Sequence, residues 1–164
     1  MEILVSIDPG KRDVGIALFC DGRFEQGAVS HTDWGDGATL LARTACDVAR
    51  EIRELLEGRK LDHLVVEKMV AHKDRREAHG DIIDLAHVAG GILVGFEGEA
   101  KLRLLSAAEW TGGRNKKVNH VRIRRRLNEA EEAALDASLR GVMRSNHKEL
   151  VDAVGIGLYH LRRL

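Results

Sequence analysis

The sequence predicts one α/β domain, residues 1–164, in which a mixed five-stranded sheet is flanked by helices. Two patterns carry that expectation. Three β-type runs joined by short turns fill the first 31 residues, and from Leu41 onwards helical periodicity alternates with short β-branched runs. The chain has a single proline, Pro9, and no internal repeat, low-complexity tract or Pro/Ser linker, which argues against a second domain.

The elements follow in order. "EILVSID" is apolar enough for a buried strand, and "VGIALFC" and "FEQGAVSH" flank Asp21-Gly22, a dipeptide suited to a tight hairpin turn. A three-stranded antiparallel meander is the expected opening. After a loop containing "DWGDG", the residues Leu41, Ala45, Val48, Ile52 and Leu55 recur at helical spacing up to Gly58, a C-terminal stop. Leu64 to Glu67 reads as a fourth strand. Residues 81–96 read as a helix with Ile82, Ala86, Ala89, Leu93 and Phe96 on one stripe and Ile83 and Val94 on another, more apolar surface than one core contact requires. "KLRLLS" is a fifth strand, and helical segments are expected over Val118 to Leu139 and His147 to Leu161.

Composition narrows the function classes. Twenty-six basic residues balance 26 acidic ones, so the chain is not uniformly basic as a general nucleic-acid binder would be. The distribution is uneven, however. Between Trp110 and Asn128 there is no acid, while Arg114, Lys116, Lys117, Arg122, Arg124, Arg125 and Arg126 supply seven positive charges, and "NEAEEAALDA" follows with the compensating acids. One surface should therefore attract phosphate. No basic n-region opens the chain and no apolar run approaches the roughly 18 residues of a membrane span, so a soluble cytoplasmic protein is expected, with no membrane partner. Cys20 and Cys46 form no CxxC pair and read as reduced thiols.

Three separate stretches place acids among apolar neighbours. Asp8 ends "ILVSID", Glu67 ends "LVVEK", and Asp152 lies inside "ELVDAVGIGLYHL", with Glu149 three residues earlier on the same helix face. Each has a plainer reading: Asp-Pro-Gly is a common turn, a strand-end Glu is commonly solvated, and Glu149 can favour a helix dipole. Together they form an oxygen-only set suited to a hard cation, because clustered carboxylates repel one another until a divalent ion neutralises them. In a two-metal site one ion activates water and the other stabilises the leaving oxygen of a phosphodiester, which would place Asp8 between the ions and let a substrate backbone approach Gly10.

These stretches carry a family resemblance. "SIDPGKRDVGIALF", "LVVEK" and "HKELVDAVGIGLYHL" resemble, in order and spacing, the opening strand-turn-strand, second acidic strand and closing helix of RuvC-type Holliday-junction resolvases of the ribonuclease H-like superfamily. The resemblance implies a ribonuclease H-like fold, catalytic metal ligands at Asp8, Glu67, Glu149 and Asp152, and two Mg²⁺ or Mn²⁺ ions. It also implies hydrolysis of phosphodiesters in four-way branched DNA by a homodimer. Two departures stand out. Members more often show Asp or His at the position of Glu149, and His147 is a rival there as an acid or base. The loop after Glu67 lacks the aromatic wedge that related resolvases often carry, leaving Met69, Val70 or His72 as substitutes.

For DNA, the expected contacts are Lys73, Arg75 and Arg76 near the junction centre and Arg114, Lys116, Lys117, Arg122, Arg124 and Arg125 along the basic stretch. Lys116 and Lys117 are expected nearest the scissile phosphate. Trp110 reads as a packing anchor. The wide helix 81–96, with Gly90-Gly91, offers either a dimer face or a centrally buried element. Three other functions compete: a related nuclease acting on RNA–DNA hybrid or structured RNA, a non-catalytic junction-binding module, and an actin-like kinase, which would need a second domain. The intact set of four acids favours an enzyme, and a small self-contained enzyme of this kind suits a bacterial or phage-infected cell.

Overall fold

The computed structural model describes residues 1–33, 35–70 and 80–164, together with the helical backbone of residue 79. Strands β1 (Ile3–Asp8), β2 (Asp13–Cys20) and β3 (Arg23–His31) form the antiparallel meander. The hairpin between β2 and β3 turns on Asp21 and Gly22, both at positive φ (47° and 76°), the backbone that a two-residue hairpin with matching twist requires. Helix α1 (Gly37–Leu56) then crosses to β4 (His63–Lys68), which lies parallel to β1, and α2 (His79–Val94) crosses to β5 (Lys101–Ser106), parallel to β4. The sheet order is β3-β2-β1-β4-β5, the mixed five-stranded sheet that the sequence pattern predicts.

Strand alternation divides the interior into two cores. Ile3, Val5 and Ile7 of β1, with Leu64 and Val66 of β4, face α1 and α2, where Val48, Ile52, Val88, Ile92 and Phe96 are buried. Leu4, Ala17, Phe19 and Val65 point to the opposite face and pack against the C-terminal helices through Leu150, Val154, Ile156 and Leu158. Ser6, on that second face, donates from Oγ to the Ala153 carbonyl at 2.7 Å, tying β1 to the last helix, α6 (His147–His160). Helix α6 lies unusually close to the sheet. A Cβ on Gly15 of β2 would collide with the Glu149 carbonyl, and one on Gly157 would collide with the Phe19 ring, so both positions must be glycine for this approach.

The C-terminal helices differ from the sequence expectation in one respect. The predicted segment 118–139 is two helices, α4 (Lys116–Arg124) and α5 (Glu129–Leu139), and the short α3 (Ala107–Thr111) precedes them. The cause of the break is Asn128. Its Oδ1 accepts from Glu131 N at 3.0 Å and the Glu131 carboxylate accepts from Asn128 N at 2.9 Å, a reciprocal cap that starts a new helix. Glu131 is buried and also accepts from Phe24 N and from the Arg163 guanidinium, so the cap is tied to β3 and to the C-terminus. Asn128→Ala is expected to lower stability by about 1 kcal/mol, measured as a shift in urea midpoint at unchanged slope. Among the described residues no helix is long and apolar enough to cross a membrane.

Candidate active site

Parallel pairing of β1 with β4 runs to Ile7 opposite Val66, and one residue further Asp8 and Glu67 stand side by side where the two strands end. Strand parity turns both toward α6. The carboxyl ends of adjacent parallel strands form the crevice in which α/β folds commonly bind ligands. Across it, the first turns of α6 present Glu149 and Asp152, three residues apart on one face. Carboxylate oxygens of Asp8, Glu149 and Asp152 all lie within 4.8 Å of one another. Glu67 borders the same pocket of about 610 Å³ and accepts a hydrogen bond at Oε2 from Trp110 Nε1 at 3.0 Å.

Burial and mutual repulsion govern the charge state. Asp8 is pushed well above the usual carboxylate range by burial first, then by Glu67, Asp152 and Glu149, with only Lys116 opposing. Glu67 is raised to about 7, chiefly by burial and then by Asp152, against the Trp110 hydrogen bond and Lys116. Helix α4 supplies the partners of these acids. Lys116 Nζ lies 2.5 Å from Asp152 Oδ2 and 3.9 Å from Glu149 Oε2, and His120 Nε2 lies 2.8 Å from Asp152 Oδ1. Burial would lower the Lys116 pKa, but the hydrogen bond to Asp152 and the fields of Asp152, Asp8 and Glu149 outweigh it and raise the value. One ammonium faces four carboxyl groups whose ionised forms repel one another, and an all-oxygen donor set is what a hard divalent cation takes.

At the level of sequence, no family model and no curated protein matches the chain. Similarity lies in three dimensions. Thermus thermophilus RuvC, solved in complex with a Holliday junction substrate, aligns over 98% of this chain and 92% of its own, with a TM-score of 0.66 at 19% identity. The fold is the ribonuclease H-like fold of RuvC. The yeast mitochondrial Holliday junction resolvase aligns over 98% of this chain and 78% of its own, with a TM-score of 0.66 at 15% identity. The Mn-soaked, inhibitor-bound nuclease domain of human cytomegalovirus terminase aligns over 95% and 82%, with a TM-score of 0.57 at 15% identity.

On this RuvC-like fold the remaining sequence-selected residues fall in different places. Lys117, Arg122 and Arg125 line a shallow surface pocket on α4 together with Arg126, Val118 and Val121. Exposed Arg114 borders the acidic pocket. Lys116 is engaged in the carboxylate cluster, where the sequence reading expected a residue presented to DNA. Arg124 is likewise committed within the chain, 2.6 Å from Glu132 and 3.1 Å from Asp136 of α5. His147 stands outside the cluster, with its Nε2 2.9 Å from the Val142 carbonyl. Gly10 is approached by the chain's own Asp13 carbonyl, which a Cβ would strike; the turn itself thus requires the glycine. Among the wedge candidates, Val70 is exposed and Met69 half-buried; Lys73, Arg75, Arg76 and His72 lie outside the described residues. His120 and the Glu67-orienting role of Trp110 were not foreseen, since both depend on how α3 and α4 fold back across α6.

Proposed function

We propose that the chain is a divalent-metal-dependent endonuclease that resolves four-way DNA junctions. The observation that carries the reading is the convergence of Asp8, Glu149 and Asp152 within 4.8 Å, beside Glu67, on a RuvC-like fold. Asp8, Glu149 and Asp152, with Glu67 adjoining, would hold the ions, and Mg²⁺ or Mn²⁺ suits such oxygen donors. A bound ion supplies Lewis-acid stabilisation of the phosphoryl oxygens and a more acidic attacking water.

The chain's own groups do the rest. Arg114 at the pocket edge and Lys117, Arg122 and Arg125 along α4 grip backbone phosphates without reading sequence, as selection by DNA shape requires. Glu67, oriented by the Trp110 hydrogen bond at the pocket edge, would in its ionised form take up the proton of an attacking water. Water oxygen adds to phosphorus as one phosphorus–oxygen bond of the strand breaks, and a proton passes to the departing oxygen. Cutting two strands symmetrically needs two such sites, and a second copy is proposed to dock on α2. Ile83 and Val94 of α2 are 56% and 72% exposed, and Leu102 and Leu104 of β5 are 41% and 47% exposed on the sheet face that α2 covers.

The test is cleavage of labelled four-way junction, linear duplex, flap and RNA–DNA hybrid with Mg²⁺, Mn²⁺ or chelator, alongside sedimentation to give the mass in solution. Paired metal-dependent nicks confined to the junction are the expected result. Preferential cutting of hybrid would move the activity to RNA, and tight junction binding without cleavage under either metal would overturn the enzyme reading.

A further inference from the structure

Resting on the metal-nuclease reading, we infer that Lys116 is the resident counter-ion of the acidic cluster, that it competes with the divalent cation for Asp152, and that metal loading releases it to DNA phosphate. Both oxygens of Asp152 are taken by one helix: Oδ2 by Lys116 at 2.5 Å and Oδ1 by His120, one turn further along α4, at 2.8 Å. The two partners are not equally movable. Asp152 is 5% exposed on a helix whose backbone is pressed against Gly15 and whose Gly157 abuts Phe19, so it cannot retreat. Lys116 sits at the first position of α4 behind the Asn115 cap, with a side chain 51% exposed on a flexible four-carbon stem.

A cation held by Asp8, Glu149 and Asp152 would occupy the ground that this ammonium already neutralises, since Nζ also lies 3.9 Å from Glu149. Two cations on the same carboxylate repel at short range. The ammonium is the one that can leave, because its side chain is half exposed while Asp152 is fixed. Without metal, Lys116 is thus tied up; with metal, it becomes one more phosphate contact at the point of cleavage. Linkage makes the effect reciprocal: a phosphate that captures Lys116 removes the competitor and tightens metal binding.

The experiment is calorimetric titration of Mn²⁺ into wild type, Lys116→Met and Asp8→Asn without DNA, the last variant defining the site. Lys116→Met is expected to bind Mn²⁺ about tenfold more tightly than wild type. Unchanged or weaker binding overturns the inference while leaving the metal site standing. Absence of any Asp8-dependent Mn²⁺ binding by wild type overturns the metal reading itself, and this inference with it. Because Lys116→Met removes the charge that restrains the acids, the same question is put to wild type by the side-chain NMR signal of Lys116 during Mg²⁺ titration. A displacement absent in Asp8→Asn supports release, and a static signal at Mg²⁺ saturation overturns it.

Discussion

Asp8→Asn is expected to abolish cleavage while leaving the fold intact and junction binding equal or tighter. Asp8 lines the pocket at the end of β1 and faces Glu67, Asp152 and Glu149, all of which disfavour its ionised form. Asparagine keeps the shape and one acceptor oxygen but removes a charge that only a cation offsets. The metal-free variant therefore loses repulsion, and its thermal midpoint is expected at or above that of wild type. DNA binding should follow the same sign, because one negative charge fewer lies in the path of the scissile phosphate. Catalysis is the exception, since the proposed ligands would act as a unit, and loss of one is expected to cost at least a thousandfold, on the order of 4 kcal/mol in the barrier. The readouts are single-turnover cleavage of a labelled junction with saturating Mg²⁺, junction affinity by fluorescence anisotropy in chelator, and a melting curve. Residual cleavage within tenfold of wild type would remove Asp8 from the chemistry. Loss of binding or folding would instead make it a structural residue.

Asp8, Glu67 and Asp152 were legible as inward-facing acids because each sits among apolar neighbours, and strand parity with helical spacing settles which way they point. Asp8 follows "ILVSI" and Glu67 follows "LVV", so two strands of period two, paired in parallel, align them without further information. The helix pair Glu149 and Asp152 needed only an i, i+3 relation. The neighbours of those acids were harder to read, for a physical reason. Lys116 and His120 meet Asp152 across 36 and 32 residues of sequence, through a packing of α4 on α6 that no local period encodes. A basic stretch looks the same in sequence whether its charges face solvent or turn inward. Arg124 shows the same limit: reading 118–139 as one helix hid the Asn128 break that brings Glu132 and Asp136 of α5 onto it. Gly10 was assigned to substrate approach, when the local turn onto Asp13 already requires it.

Metal-free protein is expected to lose stability as pH rises from about 4.5 to about 8, the reverse of ordinary acid denaturation. Glu67 has its ordinary value of 4.5 in the unfolded chain and about 7 in the folded one. Between these values the folded state holds a proton that the unfolded chain has released, so raising pH favours unfolding. Below the window both states are protonated and the stability is fully present; above it both are ionised and the contribution is gone. The displacement of Glu67 corresponds to about 3 kcal/mol, and Asp8, raised for the same reasons, adds in the same direction. Two histidines titrate nearby and oppose each other. His31, raised chiefly by its hydrogen bond to Asp13, loses stability as pH climbs, while His160, lowered by burial, gains it. Glu67→Gln isolates the site: urea unfolding at pH 5 and pH 8 in chelator should show a drop in wild type that shrinks in the variant. Divalent ion at pH 8 should restore wild-type stability, because it binds the ionised folded form and not the unfolded chain. A flat wild-type profile in chelator would mean that Glu67 is already ionised in the folded protein at pH 5. The acidic cluster would then be neutralised from within, by Lys116, to a degree that leaves a cation little to gain.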